Sequence, residues 1–408
     1  MDGADSDRKR SGFRSRTAVE KAQKTLREAV SRTVESTRVG LEAADGRVLA
    51  EPILAARDVP HYERAAMDGY AVRARDTFGA SERSPEVVQV GEGRVDPGTA
   101  VRVHTGSEVP GGADAVVMIE HVEALEATGE LEVKDAVAEG ENVAPAGEDV
   151  SEGARLYDPG HRLRPSDLGL LRSVGLEEVA VRERPTVGVI PTGEELVETD
   201  PDPGEVIETN GLTVSRMVQR WGGQATYRDI VTDDFDALRV AIERDLTRDV
   251  VVTTGGSSVG QRDLLPEVID DLGEVLVHGV ALKPGHPVCL GIVEETPVLA
   301  LPGYPVACIV NAVQFLRPVL RWLEGTEPES HPTVEARLER KIPSEPGTRT
   351  FARVALEDRD GECVAVPTRA SGSGVLSSVA LADGWVIVEE SREGIPEGER
   401  VRVENWEA

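Results

Sequence analysis

Aromatic side chains make up only 3% of the 408 residues, so any core must rest on valine, leucine, isoleucine and alanine. Cysteine is nearly absent: Cys289, Cys308 and Cys363 are far apart, odd in number and form no metal-ligand pair. That excludes a disulfide framework and a zinc quartet, and suits buried thiols in a reducing, cytoplasmic compartment. No apolar run approaches the roughly 18–20 residues of a membrane helix. Met1–Arg16 is polar and basic, lacks the apolar stretch of a signal peptide and reads as a disordered leader. Bases are scarce beside acids, 45 against 74 for a net charge of −29, and lysine is scarce beside arginine. Such a field argues against nucleic acid or anionic membrane as a partner and reads as adaptation to high internal salt. In this background most carboxylates are solvated surface, so only position can identify a functional acid.

What is present has a clear order. Val19, Ala22, Leu26, Ala29 and Val30 recur at helical spacing and predict an amphipathic helix over Ala18–Ser31. From Val39 to Val181 short β-branched runs (Val87–Val90, Ala100–Val103, Ala115–Ile119, Leu131–Val133) alternate with glycine, predicting an irregular β region. Pro165–Val174 reads as one short helix that Ser166 can cap. After Pro185 strands and helices alternate: strands at Val187–Ile190, Ala225–Val231, Val250–Thr253 and Val298–Leu301, and helices at Gly211–Arg220, Phe235–Leu246, Asp263–Leu272 and Val306–Leu323. This alternation predicts a parallel, doubly wound sheet. Beyond Pro332 only short strands remain, predicting a small all-β domain. The chain is thus expected to be a multidomain α+β protein.

In an open parallel sheet, ligands bind beyond the carboxyl ends of the strands. Three strand ends carry suitable loops: Thr192-Gly193-Glu194-Glu195, Thr254-Gly255-Gly256-Ser257-Ser258-Val259-Gly260, and Pro302-Gly303-Tyr304-Pro305. Glycines let successive N–H groups converge on an anion, and hydroxyls add donors. Lys283 lies in Leu282-Lys283-Pro284-Gly285-His286-Pro287 and is a second anion contact in prospect. Glu195, Asp233, Asp234 and Asp263 gather near the same edge. Carboxylates around a phosphate make sense if a hard cation such as Mg²⁺ lies between them. Asp263, at a helix start, serves equally well as a cap, and Asp234 as the cap of the Phe235 helix. There is no Ser–His–Asp triad or Walker loop.

The β region holds a stretch that periodicity does not explain, Met67-Asp68-Gly69-Tyr70-Ala71, followed by Gly112-Ala113-Asp114 and Gly147-Glu148-Asp149. With Thr192–Leu196, Thr254–Gly256, Ser258–Gly260 and Lys283–Gly285, these motifs resemble, in order and over about Ala18 to Val403, the MoeA/gephyrin-type molybdopterin molybdenumtransferases.

The resemblance implies a reaction in molybdenum cofactor biosynthesis: molybdate enters the dithiolene of adenylylated molybdopterin and AMP is released. It implies a divalent metal and a homodimer with the site between subunits, and leaves docking of other cofactor-assembly proteins open. It also implies a layout of residues 17–56 with 150–182, an inserted β subdomain at 57–149, a MogA-like α/β domain at 183–327 and a C-terminal barrel-like β domain at 331–408. By position, Asp68, Glu195, Asp263 and Lys283 match catalytic residues. Thr105, Asp149, Thr192, Gly193, Thr254, Gly255, Gly256, Ser257, Ser258, Gly260, His286, Pro302, Gly303, Pro305, Arg353 and Ser373 match substrate contacts, and Glu195, Asp233, Asp234 and Asp263 match metal ligands. His286 and Tyr304 stand where the family commonly has lysine and asparagine, which leaves tungstate open beside molybdate. Rival readings are an adenylyltransferase making the adenylylated intermediate and a non-catalytic gephyrin-like scaffold.

Overall fold

The computed structural model describes residues 16–255, 264–368 and 373–407. The chain divides into two compact units, Thr37–Val181 and the flanking segments up to Ser36 and from Arg182.

The larger unit is built on a six-stranded sheet. From edge to edge its strands are Gln224–Tyr227, Thr186–Pro191, Val250–Thr254, Thr296–Leu301, Cys289–Val293 and Glu274–His278. The first four run parallel. Alternate residues enter different cores, because side chains of a strand point to opposite faces. Val187, Val189, Val250 and Val252 join one core, and Ile190, Val251, Val298 and Ala300 the other. Helix Phe235–Asp245 covers the second face through Leu238 and Ile242, and Asp234 caps it by accepting the Ala237 N–H at 3.0 Å, as expected.

The sheet is not wholly parallel, as the strand–helix alternation predicted. Cys289–Val293 runs antiparallel to both its neighbours, Thr296–Leu301 and Glu274–His278. A two-residue hairpin at Glu294-Glu295, both at positive φ, reverses the chain before Thr296–Leu301. Strand 224–227 is also shorter than expected, ending at Tyr227.

Pro305–Leu323 corrects two further expectations. It is 19 residues long with mean hydropathy 1.3, so one segment does have membrane-helix length and composition. It is a core helix, 94% buried, because the sheet and neighbouring helices enclose it. Nor is it continuous: Ala312–Leu316 is π-helical. Pro318 has no N–H to offer the Gln314 carbonyl, and Gln23 Nε2 of helix Val19–Ala29 donates to that oxygen at 2.9 Å. The same core collects all four tryptophans together with Phe315 and Phe351.

The C-terminal strands close into a five-stranded barrel in the order Arg349–Arg359, Glu362–Pro367, Thr333–Leu338, Arg400–Glu404, Gly384–Val388 and back to Arg349–Arg359. The short strand Leu282–Lys283 adds to it, Lys283 opposite Thr350. Of the cysteines, Cys289 and Cys308 are buried, whereas Cys363 is only half-buried.

The smaller unit contains a six-stranded sheet in the order Ala115–Met118, Gly69–Val72, Thr99–Val103, Glu86–Gly91, Glu130–Val133 and Val122–Leu125. The glycine of Asp68-Gly69-Tyr70 is required there: a Cβ at Gly69 would lie 1.9 Å from the Val117 carbonyl oxygen. Helix Pro165–Ser173 forms, but Ser166 does not cap it. Asp167 caps it instead, accepting the Arg164 N–H at 2.9 Å, because its carboxylate is held by Arg164, His161 and Tyr157.

Candidate active site

Because the parallel strands are in register, with Pro191 opposite Thr254 and Thr254 opposite Leu301, their following loops leave the sheet at one edge. The loops touch. The Gly255 N–H donates to the Leu301 carbonyl at 3.1 Å, and a Cβ on Gly255 would lie 2.0 Å from the Thr192 carbonyl oxygen. A Cβ on Gly303 would lie 3.4 Å from the Gly255 Cα. Glycine at position 255 is therefore a condition of the loops' convergence. The hydroxyls of Thr192 and Thr254 are buried and take no partner among the described residues. A buried hydroxyl left without a partner is costly.

The Thr192–Val231 bridge and the Gly193 N–H to Val231 carbonyl bond (3.2 Å) set the loop of Glu195 beside the segment leading to Asp233. Glu195 is exposed and folds back toward Gly193. Among the described residues no three acidic, imidazole or thiolate groups gather into a metal-binding cluster. Asp234 is already engaged as a helix cap. Gly256, Ser257, Ser258, Gly260 and Asp263 lie outside the described residues.

Two neighbouring loops are fastened from beneath. Asn311, fully buried, donates to the carbonyls of Gly285 (2.9 Å) and Ala307 (2.8 Å), fixing the Lys283–His286 turn. Lys283 Nζ meets Glu345 at 3.0 Å, and that bond lowers the pKa of the Glu345 carboxyl. Burial, then nearby Arg16, pushes the His286 imidazole below its ordinary value, which favours the neutral ring. Asn210 Nδ2 donates to the Gly303 carbonyl at 2.7 Å. Asn210 escaped the sequence reading; its only local signal is a polar amide at the first position of helix Asn210–Arg220. Pro302 is buried, and Pro305 opens helix Pro305–Asn311, whose Val306 N–H donates to the Ser373 carbonyl at 3.0 Å. Ser373 thus reaches the third loop through its backbone. Arg353 is half-buried on its barrel strand opposite Trp385, and its carbonyl accepts the Thr368 N–H at 3.0 Å.

In the smaller unit, two residues separated by 37 positions meet. Thr105 donates its backbone N–H (2.7 Å) and its hydroxyl (3.0 Å) to Asp68 Oδ1. These bonds, the backbone one first, lower the Asp68 pKa. Asp149 is exposed, with its own N–H donated to the Val59 carbonyl at 3.0 Å.

Comparison with known proteins shows the family of the chain. Residues 17–175 match the MoeA N-terminal region (domain I and II), residues 188–322 a probable molybdopterin binding domain, and residues 335–406 the MoeA C-terminal region (domain IV). A Methanocaldococcus jannaschii protein named for molybdopterin biosynthesis is 36% identical over 94% of this chain and 96% of its own length. The chain belongs to the MoeA family. This MoeA-family chain is also 34% identical to the molybdopterin molybdenumtransferase of Bacillus subtilis, over 90% of this chain and 89% of the relative. A solved molybdopterin biosynthesis MoeA protein from Pyrococcus horikoshii superposes with a TM-score of 0.84 at 36% identity, covering 96% of this chain and 99% of that one.

Proposed function

We propose that this MoeA-family chain is a molybdopterin molybdenumtransferase that inserts molybdate into adenylylated molybdopterin and releases AMP. The observation that carries the reading is the convergence of three glycine loops at one sheet edge, with the Thr192 and Thr254 hydroxyls buried and without a partner among the described residues. Loop N–H groups and these hydroxyls would hold phosphate oxygens, and Lys283 would add a cationic contact once released from Glu345. The name carried by the Bacillus subtilis relative supports the same reaction.

Mg²⁺ fits the donor chemistry. It commonly takes one or two carboxylates and fills its shell with substrate oxygens and water, so a cluster of three protein acids is unnecessary. Glu195 and Asp233, on loops joined by the Thr192–Val231 bridge, would hold it, with Asp263 as a third donor. When bound it would neutralise charge on the phosphoanhydride as AMP departs.

The reading extends to a cytoplasmic homodimer. In it Asp68, Thr105 and Asp149 complete the site of the partner copy, and the boundaries are 17–56 with 150–182, 57–149, 183–327 and 331–408. Tungstate is the alternative oxyanion. The test is AMP release from adenylylated molybdopterin, with molybdate and tungstate titrated separately. Wild-type protein should release AMP on oxyanion addition, and Glu195→Ala and Asp263→Ala should release it at least about 100-fold more slowly. Wild-type rates in both variants would defeat the assignment. Binding without release by the wild type would favour the scaffold reading.

A further inference from the structure

Tyr304 is 58% exposed in a chain with only five tyrosines. It follows Gly303, which lies against Gly255, so the ring stands one residue from the glycine loops. Its backbone is fixed on both sides: the Asn210 amide holds the Gly303 carbonyl at 2.7 Å, and the Tyr304 carbonyl accepts the Cys308 N–H at 2.8 Å. Gly374 approaches the ring edge with backbone alone; a Cβ there would come within 3.5 Å of Cδ1. One edge of the ring thus faces the Gly374 backbone, and its phenol makes no hydrogen bond among the described residues. Burying the ring in the core would have been the cheaper place for a scarce aromatic. An exposed, backbone-anchored ring beside a phosphate cradle has the form of a stacking platform, since any flat heterocycle offers a π-face.

We propose that Tyr304 stacks on a flat nitrogen heterocycle of the substrate, the adenine or the pterin, and so selects for adenylylated molybdopterin over bare phosphates. This rests on the function proposed above and assigns a heterocycle-recognition role to Tyr304. The contact is sequence-tolerant, so the two rings are distinguished by experiment.

The test uses the full chain with Tyr304→Ala, Tyr304→Phe and Tyr304→Asn, and calorimetric titration with AMP and, separately, with molybdopterin lacking the adenylate. Loss of stacking should weaken one probe by about 5- to 100-fold in the Ala and Asn variants, while Phe stays within about twofold of wild type. Weakened AMP assigns adenine; weakened molybdopterin assigns the pterin. The KM for molybdate should not change, which separates stacking from a general disturbance of the loops. Both probes binding Tyr304→Ala as they bind wild type would overturn the proposal, as would equal losses in the Phe and Ala variants. Binding is read without turnover. If wild type releases no AMP yet Tyr304→Ala weakens a probe, the reaction assignment fails and the platform stands.

Discussion

Thr105 directs two donors at a single oxygen of Asp68, its N–H at 2.7 Å and its hydroxyl at 3.0 Å from Oδ1. Because both bonds favour the ionised form, the Asp68 pKa is below its ordinary 3.8. Asp68 therefore stays ionised, and any contribution it makes persists, until the pH falls through that depressed value. In Thr105→Ala the hydroxyl bond is lost and the titration should move upward toward 3.8 while remaining below it, since the stronger backbone bond survives. Carboxyl-carbon NMR titration of Asp68 in both proteins measures this. An unchanged midpoint would show that the hydroxyl bond does not form in solution.

Asn210 should act as a positioning residue for the third loop. Its amide holds the Gly303 carbonyl, and Gly303 rests against Gly255. Asn210→Ala should cost only about 1 kcal/mol of stability, because the exposed Gly303 can bond water instead. Amide exchange over residues 303–306 should accelerate selectively, and the KM for adenylylated molybdopterin should rise. Asn210→Asp, which puts an acceptor against an acceptor, should be worse than alanine. An aspartate variant that matches wild type in exchange would sink the idea.

Gly255→Ala should be severe. The φ of Gly255 is +142°, and a Cβ would meet the Thr192 carbonyl, a backbone atom that cannot turn aside. The expected loss is about 2–4 kcal/mol, together with loss of AMP binding. Urea unfolding followed by intrinsic fluorescence reads the first, and calorimetry the second. A wild-type unfolding midpoint would contradict the geometry.

His331 should make stability sensitive to mild acid. Burial, reinforced by Arg317, pushes its imidazole down from 6.5 to about 4. The neutral ring that the fold requires contributes fully above pH 6.5. As the pH drops from 6.5 through about 4, the unfolded chain takes up a proton that the folded chain refuses, and stability falls by up to roughly 3 kcal/mol. Denaturant titrations across this window should show a flatter pH dependence for His331→Gln than for wild type. Parallel slopes would assign the acid sensitivity to other groups.

Local chemistry determined much of this protein. The apolar runs at Val187–Ile190 and Val250–Thr253 could only be buried strands, and the glycines and hydroxyls after them mark turns rich in N–H donors. The Asp234 cap was equally legible, because an acid before an amphipathic run satisfies the helix's own free N–H groups. These features depend on neighbours along the chain. The reversed strand Cys289–Val293 did not announce itself. Its turn is Glu294-Glu295, where glycine or asparagine usually signals positive φ, and only the surrounding strand pairing holds those residues there. Ser166 looked like a cap, but a carboxylate pinned by Arg164 and His161 took that role. Above all, the tertiary fold decided which donors meet which acceptors at the site. Thr105 reaches Asp68 across 37 positions and Asn210 reaches Gly303 across 93. Periodicity records which face of an element is buried, but a hydrogen bond between distant residues exists only once the packed cores have set the distance between them.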